Sequence, residues 1–180
     1  MLKGELLENR VVVWDRKVFD ELQDSGYGKL LEDRLELALV EAMFLMGKGK
    51  LKIFTKEGKK KVYLSKEEFY SYCEKNERNF HARLIVYSDL RNRGFTVKTG
   101  LKFGCDFRVY ERGVKIKRGP KAPHEHTKWV VHAIPEEFTC SFPELSRAVR
   151  LAQNIRAEMI WAVVDCEDDV TYYSIKRITP

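Results

Sequence analysis

Few residues in this sequence are of types that move protons or hold metals. There are four histidines (His81, His124, His126 and His132) and four cysteines (Cys73, Cys105, Cys140 and Cys166). No pair of cysteines forms a CxxC, and no histidine stands at metal-ligand spacing from any of them. The pattern therefore offers no metal site and reads as reduced, partly buried thiols. Imidazole titrates near neutrality and serves general acid–base chemistry. His124 and His126 share the stretch HEHTKWVV ahead of an apolar run. Taken alone, each reads as a surface residue, as do His81 and His132, the last expected to point outward from its strand. Tyr110 closes a strand-like run. A phenol with an ordinary pKa near ~10 acts as a base at neutral pH only beside a cation, and by itself Tyr110 reads as structural. Asp165, Glu167, Asp168 and Asp169 form an acidic turn that reads, alone, as solvated.

Composition narrows the field. The chain has 180 residues, 44% of them hydrophobic, enough for one domain or two small ones with packed cores. No apolar run approaches the ~20 residues that span a bilayer, and the N-terminus lacks the apolar stretch of a signal peptide. The expectation is a soluble, cytoplasmic protein with no membrane partner. The net charge of +6 fits a polyanionic partner. Charged residues make up 33% of the chain, which leans towards a thermophile.

Several elements must position these residues. Val11 to Trp14 reads as a strand. Leu35, Leu39, Ala42 and Met46 recur at helical spacing, predicting a helix from Arg34 to Met46. Leu51 to Phe54 and Lys61 to Leu64 read as strands across a Lys56-Glu57-Gly58 turn. Ser65 with Glu68 opens a further helix through a capping box. Helical character runs on, with a break, to Arg93, and Gly94 suits its C-terminal cap. Phe95 to Lys98, Cys105 to Tyr110 and Lys128 to Ile134 read as strands. Ser141 with Glu144 is a second capping box, with Pro143 in the first turn, and this helix is predicted to reach about Glu158. Met159 to Val164 and Val170 to Ile178 complete the strands. The expected fold is α/β of the α+β type. A small mixed N-terminal domain (1–79) precedes a C-terminal domain (80–180) with a mixed β-sheet flanked by helices.

One stretch is far more specific. Tyr87 to Gly113 reads YSDLRNRGFTVKTGLKFGCDFRVYERG. Through Asp89, Leu90, Arg91, Arg93, Gly94, Val97, Lys98, Thr99, Gly100, Lys102, Gly104, Asp106, Phe107 and Tyr110 it resembles the archaeal tRNA-splicing endonucleases. LALVEAMFL and VTYYSIKRI extend the likeness over nearly the whole chain. The resemblance implies a C-terminal nuclease domain and a substrate, precursor tRNA with a bulge–helix–bulge. It implies a metal-independent reaction with no cofactor: the ribose 2′-hydroxyl attacks its own phosphate, leaving a 2′,3′-cyclic phosphate and a 5′-hydroxyl. The family uses a Tyr, a His and a Lys for this. The resemblance puts the Tyr at Tyr110 and the His at His126, with His124 two residues too early.

The Lys is where the sequence departs. The family reads R-V-A-H-S-V-R-K, whereas here the segment runs from Arg150 to Ala157, with Ala157 at the Lys position. On a helix continuing past this point, residues 150, 154 and 157 would share one face. Arg156 would be turned away by roughly 100°. A missing transition-state cation commonly costs about 10²–10³ in rate, so the isolated chain is expected to be weak or inactive. Two explanations stand: a structural subunit beside a catalytic paralogue in a heterotetramer, or a replacement cation from the basic loop with Lys115, Lys117, Arg118 and Lys121.

The resemblance also implies assembly as a homodimer, tetramer or heterotetramer. Asp165, Glu167, Asp168 and Asp169 would dock into a partner, and the last strand would pair across a dimer axis. It further implies that one arginine from each of two subunits clasps an unstacked base, with Arg150 at one such position and Arg177 or its neighbour Lys176 at the other. Arg147 could reach a phosphate. The alternative reading is a non-catalytic RNA-binding or scaffold protein that keeps the nuclease fold.

Overall fold

The structure is a computed structural model describing residues 1–100, 104–116 and 125–178. The chain divides into two compact units, Met1–Phe80 and His81–Pro180.

The first unit is a six-stranded sheet with helices. Its strands are β1 (Leu2–Leu7), β2 (Arg10–Val13), β3 (Lys29–Leu30), β4 (Leu35–Ala38), β5 (Leu51–Glu57) and β6 (Lys60–Tyr63), in the spatial order β3-β4-β2-β1-β5-β6. Only β1 and β5 pair in parallel. β1 buries a glycine and a glutamate, which hides it from a search for alternating apolar residues. A Cβ on Gly4 would fall 2.4 Å from Val11 Cγ1, so the β1–β2 contact leaves room for no side chain there. Glu5 is buried because Trp14 Nε1 and Lys56 Nζ both donate to its Oε2 at 2.9 Å. A 3₁₀ turn (Arg16–Val18) and α1 (Phe19–Asp24) follow β2.

The helix expected from Arg34 begins later. Leu35 and Leu37 are buried two residues apart in strand β4, and α2 covers only Leu39–Gly47. Leu35 and Leu39 share helical spacing by coincidence, one in each element. Glu41 holds the join, accepting the Ala38 N–H at 2.9 Å and the Gly28 N–H at 3.1 Å. The Ser65–Glu68 capping box opens α3 (Lys66–Asn76) as expected.

The second unit begins with α4 (Phe80–Asn92), which ends at Gly94 with φ +87°. Its sheet has the order β11-β10-β9-β8-β7: β7 (Phe95–Thr99), β8 (Phe107–Arg112), β9 (Trp129–Pro135), β10 (Glu158–Val164) and β11 (Val170–Ile175). β9 and β10 run parallel and the other pairs antiparallel, so the sheet is mixed. Helix α5 (Phe142–Asn154) makes the crossover between the parallel strands, opened by the Ser141–Glu144 capping box. Ala148 and Ala152 of α5 pack on Val130 and Met159 on one face of the sheet. On the other face α4 sets Tyr87 against Phe107, ring centroids 5.6 Å apart. The α/β architecture with helices flanking a mixed sheet is thus the expected one.

Asp106 ties this unit together. Its Oδ1 lies 3.0 Å from Nε of the buried Arg83 on α4, and its Oδ2 accepts the Ala133 N–H at 3.0 Å. His132, expected to point outward, is half-buried, with Nδ1 3.7 Å from Asp106 and its ring edge-on to Trp161.

Candidate active site

Sheet topology decides where the candidate residues gather. β8 runs antiparallel to β9, β9 parallel to β10, and β11 antiparallel to β10. The ends of β8 and β11 and the starts of β9 and β10 therefore lie along one edge. α5 returns antiparallel to its strands and finishes at that edge too. This places Tyr110, His126, Arg150, Arg177 and Ala157 at one end of the sheet.

The register is finer than that. Lys128 N–H donates to Val109 O at 3.0 Å, and Glu158 N–H donates to Lys128 O at 2.9 Å. The β8–β9 and β9–β10 pairing stops at Val109↔Trp129 and Trp129↔Glu158, and the rung one residue further on, by extension of that register, is Tyr110, Lys128 and Ala157. With strands spaced 4.7–4.9 Å, positions 110 and 157 stand about 10 Å apart. Lys128 lies between them in register, but its ammonium is drawn to Glu111 and rests 4.6 Å over the Trp129 ring.

The five residues differ in exposure. Tyr110 is 1% exposed, on the same face as α5. Beyond β8 the chain folds back, with Thr96 Oγ1 donating to Val114 O at 2.9 Å and Val114 itself buried. His126 is exposed, two residues before Lys128. Arg150 is exposed, and its Nη2 donates to Ser146 Oγ at 3.4 Å. Arg177 is exposed just past β11, next to Lys176, whose ammonium is 3.6 Å from Glu158. His124, Lys102, Lys117, Arg118 and Lys121 lie outside the described residues. Lys115 is exposed.

The placement of Ala157 corrects the expected helix. α5 stops at Asn154 rather than near Glu158. Arg156 takes a left-handed conformation, φ +57°, and two hydrogen bonds close the end: Ala157 N–H to Ala152 O at 2.9 Å and Arg156 N–H to Gln153 O at 3.0 Å. This is a Schellman closure with an arginine where glycine is usual. Residues 150, 154 and 157 consequently do not form one helical face. Ala157 sits in the turn, half-buried, against the cluster of Val130, Ala152 and Met159. Sheet register, not a helical face, sets its place beside Lys128 at this end of the sheet.

The acidic turn occupies the opposite end. Asp165 Oδ1 accepts the N–H groups of Glu167 and Asp169, at 2.9 and 3.0 Å, and Asp168 adopts φ +64°. Asp168 Oδ1 lies 2.6 Å from His81 Nε2, so His81 is engaged rather than idle. Glu136 Oε1 accepts the Cys166 N–H at 3.1 Å.

Both units match family models: residues 2–70 that of the tRNA intron endonuclease N-terminal domain, residues 80–172 that of its catalytic C-terminal domain. The chain belongs to the tRNA-intron endonuclease family. Among its relatives within that family is a tRNA-splicing endonuclease of Methanothermobacter thermautotrophicus, 41% identical over 180 residues, covering 99% of each chain. One from Thermococcus kodakarensis is 40% identical over 171 residues, 94% of each. A third, from Methanococcoides burtonii, is 37% identical over 174 residues, 96% of this chain but 47% of that longer one.

Within this tRNA-intron endonuclease fold, sequence reasoning missed three polar centres. The motif residues Asp106 and Asp89 carry two of them. Tyr172 donates to Asp89 Oδ2 at 2.6 Å, and Asp89 also holds Arg93 Nε at 2.8 Å. Burial and the Asp89 carboxylate raise the Tyr172 pKa. The third is the His81–Asp168 pair, which joins residues 87 positions apart and leaves no local trace. The thiols of Cys73 and Cys105 are buried and pushed up to about 12, chiefly by desolvation, as inert cysteines should be. Among the described residues no cluster of His, Cys, Asp and Glu could hold a metal, and no helix is long and apolar enough to cross a membrane.

Proposed function

We propose that this chain is a subunit of a cytoplasmic tRNA-intron endonuclease, acting on precursor tRNA at a bulge–helix–bulge and weak or inactive alone. The observation that carries the reading is the uncharged, half-buried Ala157 on the same rung as Tyr110. In the proposed chemistry the Tyr110 phenolate takes the proton of the ribose 2′-hydroxyl, whose oxygen attacks the adjacent phosphorus. The 5′-oxygen leaves with a proton from His126, giving a 2′,3′-cyclic phosphate and a 5′-hydroxyl. The phosphorane between these steps gathers negative charge and needs a cation. Position 157, an alanine, supplies none.

In this reading the second unit carries the nuclease machinery and a catalytic paralogue completes a heterotetramer. Arg150 and Arg177, each contributed by a different subunit, clasp an unstacked base between guanidinium planes. Asp165, Glu167, Asp168 and Asp169, at the far end, dock into the partner.

The 1% exposure of Tyr110 favours a second reading, an RNA-binding scaffold that does not cut. Mixing separates the two. The purified chain should leave a bulge–helix–bulge transcript intact, and adding a relative bearing Tyr, His and Lys should produce cleavage beyond that relative's own. No gain on mixing would leave the scaffold reading. Full-rate cutting by the chain alone would overturn both.

A further inference from the structure

The α4 face of the second unit holds a groove that the proposed chemistry does not use. It is a cavity of about 250 Å³ between α4 and the sheet. Leu90, Val109, Val131 and Ile160 form an apolar floor. Its walls are aromatic: Phe95 and Trp129 stand edge to face, centroids 5.5 Å apart, and Tyr172 closes the far side. Each ring carries a cation. Arg112 lies 4.9 Å over Phe95, Lys128 4.6 Å over Trp129, and Arg93 5.9 Å from the Tyr172 centroid. Asp89 holds Arg93, and Glu111 holds Lys128, so the rim keeps an excess of positive charge through Arg112.

Resting on the function proposed above, we infer that this groove is a second RNA subsite, taking one unstacked base of the precursor with its phosphate on the cationic rim. The volume is below the ~300–1,000 Å³ usual for a small-molecule pocket and suits a single planar ring system. An apolar floor with aromatic walls offers stacking that tolerates any base, and guanidinium groups add stacking and charge. Position strengthens the assignment. Val109 and Trp129 line the groove on one face while their neighbours Tyr110 and Lys128 begin the candidate rung, so the groove backs directly onto the catalytic end. It is separate from Arg150, because α5 and α4 lie on opposite faces of the sheet. A strand held in the groove would steady the RNA around that edge.

The test uses the full chain, alone and mixed with a catalytic relative. A precursor tRNA carrying 5-iodouridine in its unpaired segments is irradiated on the complex, and crosslinked residues are mapped by mass spectrometry. Crosslinks at Trp129 or Phe95 are expected. Phe95→Leu and Trp129→Leu should each weaken precursor binding on the order of tenfold. Arg112→Gln should lower the slope of log affinity against log salt by about one. Melting temperature checks that each variant folds, and Phe95→Leu, which keeps the apolar volume, guards against loss of fold. Precursor bound with unchanged affinity in all three variants and no groove crosslink would overturn the subsite while leaving the proposed function intact. Variants that change the oligomeric mass but not RNA affinity would overturn it in favour of a subunit contact. No precursor binding by any mixture would remove the function itself, and the subsite with it.

Discussion

On the proposed function, replacing Ala157 with lysine should let the isolated chain cut precursor RNA. Positions 157 and 110 are two strands apart on one rung, about 10 Å. From Cα, a lysine arm and a tyrosine ring each reach roughly 6 Å by standard bond lengths, so ammonium and phenol can meet a phosphate between them. The new charge would restore a transition-state contact whose absence commonly costs ~3–4 kcal/mol, or 10²–10³ in rate. The extra bulk meets Val130, Ala152 and Met159, and overpacking of this kind costs about 1–3 kcal/mol. Part of that is relieved because a lysine stem can lie along apolar neighbours with its ammonium outside. The assay is single-turnover cleavage of a bulge–helix–bulge transcript by the chain alone, with product ends identified. Ala157→Lys should raise the rate about 100-fold or more. Ala157→Met, similar in bulk and uncharged, should not. A lysine variant that folds and binds the transcript but cuts no faster would refute the argument that charge at position 157 is what the site lacks.

Asp106→Asn should destabilise the second unit by about 3 kcal/mol in urea unfolding, because it strips a charge partner from the buried Arg83 guanidinium; a midpoint shift equivalent to less than 1 kcal/mol would show that Arg83 is held otherwise. In native protein, iodoacetamide should modify Cys140 and Cys166 and spare Cys73 and Cys105 until denaturant is added, as read by intact mass. The same two buried thiols should make stability fall as pH rises from about 9 to about 12. The unfolded thiols ionise near the bottom of that window, while the folded ones keep their protons until its top. A melting temperature that owes nothing to these thiols, unchanged over that range in a Cys73→Ala, Cys105→Ala comparison, would contradict the burial argument.

What the sequence disclosed and what it hid have physical causes. Capping boxes at Ser65 and Ser141 are local, made by a hydroxyl and a carboxylate three residues apart, so they could be read directly. The strands of the second unit are half-buried and apolar, and their positions were legible to within two or three residues. β1 was not, because Gly4 and Glu5 are buried and the partners that satisfy Glu5 come from residues 14 and 56. β4 was absorbed into a helix because Leu35 fits both a period of two and the spacing to Leu39. The end of α5 was overrun because Arg156 takes a left-handed conformation with no glycine to announce it. The candidate site shared this fate in part. Tyr110, His126 and position 157 could be picked out by motif, but the alignment of Tyr110 with position 157 depends on long-range strand pairing and exists only once the sheet has formed.

The rung has a consequence for how such a protein can change its job. Its geometry follows from the backbone links beside it, Lys128 N–H to Val109 O and Glu158 N–H to Lys128 O, which do not depend on the side chain at position 157. An alanine or a lysine can occupy the socket at 157 while the chain keeps its shape and its other contacts. On the proposed function, competence to cut could therefore turn on one position, without a new fold.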